Sequence, residues 1–306
     1  VGFALPGQAT ALWMFPLALA VGNAFVLKPS ERVPLTSLRL AALLAEAGLP
    51  PGVFSVVHGG REAAEALVVH PLVQAVAFVG STPVAKRLYA LAAAEGKRAL
   101  ALGGAKNHLI VVPDADIPLT AQAVVDSFTG CAGQRCMAGS VLVAVGDVEP
   151  ILEEVRRRAQ ALRLGETMGA IIDAASLQRI DGAIAAAAAE GARITLDGRG
   201  ERPAVAAYAG GNWLGPTILD GVRPGAAALT TEIFGPVLAI VRVATVGEAL
   251  ALEGQSPYGN AASVFTTSGA VAAYVAERAS AGMVGINIGV PVPREPFSFG
   301  GTKQSR

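Results

Sequence analysis

Residues 75–94, AVAFVGSTPVAKRLYALAAA, carry a strand, a turn and a helix in direct succession. Ala75–Val79 is a short apolar run with a β-branched or aromatic residue at every second position, as a strand requires. Gly80 and Ser81 end it. Pro83 suits the first turn of a helix, because its ring presets φ and its missing N–H is not needed there. From Pro83 to Ala94 small and straight-chain residues favour helix. A strand that feeds a helix in this way is half of a βαβ crossover, the unit from which parallel sheets are built.

The same alternation extends in both directions. Strands are expected at Ala24–Leu27, Val53–Val57, Ala99–Leu102, Leu109–Val112, Val141–Val145, Ile194–Leu196, Val237–Val243, Ala262–Phe265 and Val284–Ile288. Helices are expected at Leu35–Ala47, Glu62–Val69, Pro118–Cys131, Glu149–Leu162, Ala174–Glu190 and Ala270–Ala281. Near-continuous apolar strands separated by helices belong to parallel sheets covered on both faces, so the fold class is α/β. A domain seam is expected at Gly103–Gly104–Ala105, dividing the chain into 1–103 and 104–306. The Gly-rich, polar stretch from Asp197 to Gly215 reads as a surface excursion.

Composition agrees with a large folded core. The chain has 306 residues, 52% of them hydrophobic, with a mean hydropathy of +0.50. That length allows two domains. Its 24 basic and 24 acidic residues cancel, and no basic run offers a footprint for nucleic acid. Ala9–Leu27 lacks charge and is long enough to span a bilayer. Pro16, Gly22 and Asn23 interrupt it, so a buried helix over Ala9–Val21 leading into a strand is the expected structure. Cys131 and Cys136 are the two cysteines. They form no disulfide framework, which fits a reducing, cytoplasmic setting, and they lack the partners that a zinc site needs. His58, His70 and His108 are scattered, and no Ser/His/Asp set is apparent.

Three segments carry candidate chemistry. Lys28-Pro29-Ser30-Glu31 follows an apolar strand, where open α/β sheets bind ligands. A Lys there donates to ribose oxygens and a Glu accepts from ribose hydroxyls; a solvated turn with a helix cap is the alternative. At Gly80-Ser81-Thr82-Pro83 the free N–H groups of a helix start form an anion site, although many capped helices bind nothing. No G-x-G-x-x-G string accompanies it. Gly130-Cys131-Ala132-Gly133-Gln134-Arg135-Cys136-Met137 places a thiol beside a guanidinium, which favours the nucleophilic thiolate. An inert buried thiol is the alternative for Cys136 and the expected state of Cys131.

Together, LWMFPLALAVGNAFVLKPSE, FVGST, ALGGAKNH, GQRCMA, EIFGPVL, PYGN and FSFGG resemble the aldehyde dehydrogenase superfamily over nearly the whole chain. The GAKNH and GQRCM versions resemble its coenzyme-A-acylating methylmalonate-semialdehyde dehydrogenase branch. The resemblance implies an aldehyde dehydrogenase-like fold of two Rossmann-like α/β domains, with an NAD-binding domain over 1–103 and a catalytic domain over 104–306. It implies Cys136 as the catalytic thiol. Lys28 and Glu31 match adenine-ribose contacts, and Gly80 and Ser81 the pyrophosphate turn. Glu232 matches the nicotinamide-ribose ligand, with Phe234 packed near that ring, and Arg135 a grip on a substrate carboxylate.

The implied cofactor is NAD, with coenzyme A as co-substrate, a small aldehyde as substrate, and no metal, nucleic acid or membrane. A homo-oligomer, dimer or tetramer, is implied for the full-length protein. Two positions depart from the family. Ala101 stands where hydrolytic members have the Glu that activates water, in keeping with the acylating branch. Ala4 stands where the family has an oxyanion-holding Asn, and Gly7–Ala11 is one residue longer. The family pattern begins before Val1 and continues past Arg306, so a fragment or a degraded gene is expected. The function implied is NAD-dependent oxidation of malonate or methylmalonate semialdehyde through a Cys136 thioester to acetyl- or propionyl-CoA. The alternatives are a hydrolytic aldehyde dehydrogenase and a non-catalytic nucleotide-binding remnant.

Overall fold

The computed structural model describes residues 12–292 and 299–306. They fall into two units that divide after Gly104, with Arg306 grouped in the first.

In the first unit helices and strands alternate: α1 (Phe15–Ala20), β1 (Phe25–Leu27), α2 (Leu35–Glu46), β2 (Phe54–Val56), α3 (Arg61–Val69), β3 (Ala75–Val79), α4 (Thr82–Ala94) and β4 (Arg98–Leu102). β1 pairs with β2 and β3 with β4, both parallel. Val68, Val76, Phe78, Ala85, Leu88 and Ala92 pack together, so the apolar faces of α3 and α4 close on the β3–β4 pair. Phe15 and Leu27 form a smaller core with Phe25 and Phe54, the Phe15 and Phe54 rings lying 4.8 Å apart. The buried helix expected over Ala9–Val21 is corrected. Residues 9–11 lie outside the described residues, and in α1 Phe15 is buried while Leu17 and the following Val21 are exposed. Six residues make less than two turns, and two of its side chains, Phe15 and Leu19, reach the aromatic cluster.

The second unit contains β5 (Asn107–Val111), α5 (Ile117–Thr129), β6 (Gly139–Val145), α6 (Glu149–Gln160), α7 (Ala174–Ala189), β7 (Arg193–Leu196) and β8 (Thr217–Asp220). It continues with α8 (Ala227–Thr230), β9 (Val237–Val243), α9 (Val246–Gln255), β10 (Tyr258–Gly259), β11 (Ala261–Phe265), α10 (Gly269–Arg278), β12 (Met283–Ile286) and β13 (Thr302–Lys303). Seven strands form one sheet in the order β12-β11-β5-β6-β9-β8-β7. All pairings are parallel except β7–β8, and a separate β10–β13 pair is also antiparallel. Every residue of β5 and β11 is buried, as a central strand covered on both faces demands. Ile110, Val141, Val143 and Val241 point into one layer with Ile180 and Ile184 of α7. Leu109, Leu142, Ala144 and Ile240 point into the other with Val124 and Phe128 of α5 and Val155 of α6.

Asp116 caps α5 by accepting the Leu119 N–H at 2.8 Å, with Pro118 in the first turn. α5 ends at Thr129, before the expected Cys131. Gly130–Gly133 form a tight turn in which Cys131 and Ala132 adopt φ of 54° and 52°, which no α-helix accommodates. Among the described residues, no helix is long and apolar enough to cross a membrane.

Candidate active site

In the first unit a cavity of about 500 Å³ is lined by Lys28, Ser30, Glu31, Gly80, Ser81 and Arg87, among others. Its floor is the C-terminal ends of β1 and β3, the side of an open parallel sheet where ligands bind. Lys28 is buried, donates to the Pro29 carbonyl at 2.8 Å, and lies 3.6 Å from the Glu31 carboxylate. Glu31 is exposed to the cavity side of that pair. Gly80 donates to the Leu102 carbonyl at 3.1 Å, and a Cβ there would strike the Phe78 ring. Ser81 stands at the N-cap of α4 with extended backbone and makes no side-chain cap bond, so its helix start is open to an anion. The four residues read from separate strings thus share one cavity. Ribose hydroxyls and phosphate match this donor set, and the volume suits part of a dinucleotide.

The second unit builds its site differently. β11, β5, β6 and β9 are adjacent and parallel, so the segments leading into them gather at one end of the sheet. Asn260 precedes β11, Lys106 precedes β5, Cys136 and Met137 precede β6, and Glu232 and Phe234 precede β9. β6 carries one extra residue at this end: Asn107 pairs with Gly139 but His108 with Val141, leaving Ser140 unpaired. That bulge bends the strand entry beneath the thiol.

Two close approaches bring the loops together. Gly133, at φ 66°, lies against Gly235, and any Cβ there would fall on the Gly235 carbonyl. The Ala105 N–H donates to Glu232 Oε1 at 2.9 Å. Phe234 adopts φ 55°, a conformation an aromatic side chain rarely takes, at the turn between Glu232 and Gly235. Arg179, from α7, donates to the Ile233 carbonyl at 2.5 Å and pins the same turn.

The electrostatics run against a free thiolate. Burial, and then the Glu232 carboxylate, push the Cys136 thiol up to about 11. The backbone N–H groups of Cys136 and Met137 and the Arg135 guanidinium act in the opposite sense and are outweighed. Arg135 favours the thiolate, as expected, but burial and Glu232 outweigh it. Arg135 Nη2 donates to the Asp126 and Ser127 carbonyls at 2.6 and 3.1 Å, which anchors the guanidinium on the last turn of α5. Its Nε is buried with no partner among the described residues. Glu232 is held above the usual carboxylate range by burial, against the Ala105 N–H, Lys106 and Arg179. Lys106 is lowered to about 7 by burial, against the attraction of Glu232, and its ammonium has no hydrogen-bond partner among the described residues. Cys131, expected to be buried, is exposed, because the turn after α5 carries it off the helix face.

Lys106, Asn107, Asn260 and Arg179 escaped the reading of the sequence as functional groups. The available signal was the polar string Lys106-Asn107-His108 set directly before the apolar run of a central strand. All three are 1–2% exposed, and burial of such polar groups points to a site. Ala4 lies outside the described residues.

Comparison with known proteins follows the same outline. The family model described as the aldehyde dehydrogenase family matches residues 6–306. A malonate-semialdehyde dehydrogenase from Geobacillus kaustophilus is 46% identical over 96% of this chain and 61% of its own length. One from Pseudomonas aeruginosa is 44% identical over 96% of this chain and 60% of its own. The chain thus spans less than two thirds of the curated relatives it matches. Among solved structures, a protein from Sinorhizobium meliloti described as a methylmalonate-semialdehyde dehydrogenase, in complex with NAD, superposes with a TM-score of 0.95 at 42% identity, covering 99% of this chain and 64% of that one. A methylmalonate-semialdehyde dehydrogenase from Oceanimonas doudoroffii gives 0.94 at 44% identity, with the same coverage of 99% and 64%.

Proposed function

The chain belongs to the aldehyde dehydrogenase family, and from that premise we propose that it carries out NAD-dependent oxidation of a small semialdehyde through a thioester on Cys136, with coenzyme A as the acyl acceptor. Malonate or methylmalonate semialdehyde is the substrate class, by likeness to relatives named for those compounds. The observation that carries the reading is the meeting of the Cys136 loop and the Glu232 loop at the contact of Gly133 with Gly235, which sets a thiol beside a carboxylate in one buried site.

In this reading Lys28 and Glu31 take the adenine ribose, Gly80 and Ser81 the pyrophosphate, and Glu232 the nicotinamide ribose, with Phe234 beside the ring. When bound, the dinucleotide supplies a hydride acceptor. Cys136 adds to the aldehyde: its sulfur bonds to the carbon as the carbonyl π pair moves to the oxygen, which takes up the proton the thiol gives up. The Cys136 and Met137 N–H groups steady the sulfur, and Lys106 offsets the negative charge of Glu232. Loss of hydride from that carbon leaves an acyl group on Cys136. Arg135 retains donors on Nε and Nη1 for the substrate carboxylate. Ala101 stands where hydrolytic members have the Glu that activates water, and Glu232, the carboxylate beside Cys136, is assigned to the nicotinamide ribose; a thiol acceptor needs less activation than water at neutral pH. The carboxylate of the acyl group leaves as carbon dioxide, its carbon taking a proton from solvent, and the coenzyme A thiol displaces Cys136, which recovers the thiol proton, to give acetyl- or propionyl-CoA. A cytoplasmic homo-oligomer, dimer or tetramer, is part of the same proposal.

The test is product analysis with malonate semialdehyde and NAD, with and without coenzyme A. Acetyl-CoA formed in step with NADH supports the proposal. A free acid formed at the same rate without coenzyme A identifies a hydrolytic enzyme. NAD binding with no NADH formed identifies a non-catalytic remnant.

A further inference from the structure

The carbonyl of Cys136 is held from two sides. Asn107 Nδ2 donates to it at 2.7 Å and to the Ala138 carbonyl at 2.8 Å. Asn260 Nδ2 donates to it at 3.0 Å and reaches Met137 Sδ at 3.1 Å. The orientation of the Asn107 amide follows from its other end, since Asn107 Oδ1 accepts the Ala261 N–H at 3.1 Å and Asn260 Nδ2 at 3.3 Å. Both side chains are buried, at 1% and 6% exposure. Two buried amides spent on one carbonyl exceed what satisfying that carbonyl requires, because one partner is enough.

The held carbonyl belongs to the peptide between Cys136 and Met137. In a trans peptide the C=O and N–H point in opposite directions. Fixing the oxygen from two sides therefore fixes the Met137 N–H, which acts on the Cys136 sulfur in favour of the thiolate. Hydrogen bonds accepted by a carbonyl also polarise its peptide and strengthen the N–H as a donor. We propose that Asn107 and Asn260 are positioning residues for the nucleophile, which hold the Cys136–Met137 peptide so that its N–H faces the sulfur.

Their placement supports this. Asn107 opens β5 at the bulge and Asn260 directly precedes β11, its sheet neighbour, so the clamp is anchored in two adjacent strands buried along their whole length. The charged and titratable groups acting on the sulfur from the surrounding elements are Glu232, which opposes ionisation, and Arg135, which favours it. Lys106 and His108 flank Asn107, and Lys303 acts on His108. His108 is lowered to about 3 by burial and then by Lys106, so it stays neutral while the thiol titrates.

The proposal rests on Cys136 being the reactive thiol, and its test needs no turnover. In a Cys131→Ala background, the rate of Cys136 alkylation by iodoacetamide is followed from about pH 7 to about pH 10, below the thiol midpoint, where the rate reports the thiolate fraction. Asn260→Leu, of the same branched shape but without donors, is expected to raise the thiol midpoint by about one pH unit, read as a roughly tenfold fall in the rate at each pH below it. Asn260→Ser, a smaller change, is expected to move the midpoint in the same direction and decides the matter alone if the Leu variant does not fold. Folded variants, with thermal midpoints within about 3 °C of the parent, that keep the parent thiol midpoint overturn the proposal. A shifted thiol midpoint in a protein that oxidises no aldehyde sustains the clamp while removing the enzymatic reading.

Discussion

Lys106 is a buried ammonium without a hydrogen-bond partner among the described residues, and replacing it should stabilise the protein. Its folded value of about 7 lies below its ordinary 10.5 because burial disfavours the charge more than Glu232 favours it. At about 1.4 kcal/mol per pKa unit, that difference corresponds to about 5 kcal/mol between the fully charged and fully neutral limits. Between pH 7 and 10.5 the unfolded chain binds more protons than the folded one, so stability rises with pH across this window. Below about 7 both states are charged and the penalty is constant. Lys106→Met keeps the aliphatic volume and removes the charge. Allowing about 1–2 kcal/mol for imperfect packing, the variant should be more stable by about 2–4 kcal/mol at pH 7. The gain should fade as pH approaches 10.5, where the parent lysine is neutral in both states. Urea unfolding of parent and variant at several pH values reads both effects. A variant less stable than the parent by the same amount at every pH would refute the reasoning, because it would mean that the ammonium is paired.

Glu31 lines the cavity beside Lys28 and would repel a 2′-phosphate, so NAD should bind more tightly than NADP. Glu31→Gln should narrow that preference about tenfold, the effect of one charge pair near a surface; titration of both dinucleotides checks it, and tighter NADP binding to the parent contradicts it. Gly133→Ala places a Cβ on the Gly235 carbonyl at a left-handed φ and should cost about 2–4 kcal/mol on urea unfolding; a loss under about 0.5 kcal/mol would show that the two loops are not locked together. Cys131 is exposed and already at positive φ, so Cys131→Ala should change stability by less than about 0.5 kcal/mol in the same assay.

The α/β class was legible because strands such as Ala75–Val79 and Val237–Val243 are near-continuous apolar runs set between helices. β8 was not, because Thr217–Asp220 emerges from a Gly-rich loop as four residues without alternation. α9 was missed because Gly247 and Gly254 dilute its helical pattern, although Thr245 caps it by accepting the Glu248 N–H. The antiparallel arrival of β7 is a matter of chain path after α7, which no local pattern encodes. At the site, Cys136 and Glu232 could be picked out by resemblance. The height of the thiol pKa could not, since it depends on burial and on a carboxylate 96 residues away along the chain (232 less 136). The Asn107–Asn260 clamp was hidden for a related reason: its members are 153 residues apart and are polar groups inside the core, recognisable once the sheet sets β5 beside β11.

The central claim is that Cys136 carries the acyl group during oxidation. Its direct test is to mix the protein with NAD and malonate semialdehyde, quench in acid within one turnover, and map the mass added to each cysteine peptide. An acyl group on the Cys136 peptide, discharged when coenzyme A is added before the quench, is the predicted result. NADH formation with Cys136 unmodified, or with the acyl group on Cys131, would contradict the account.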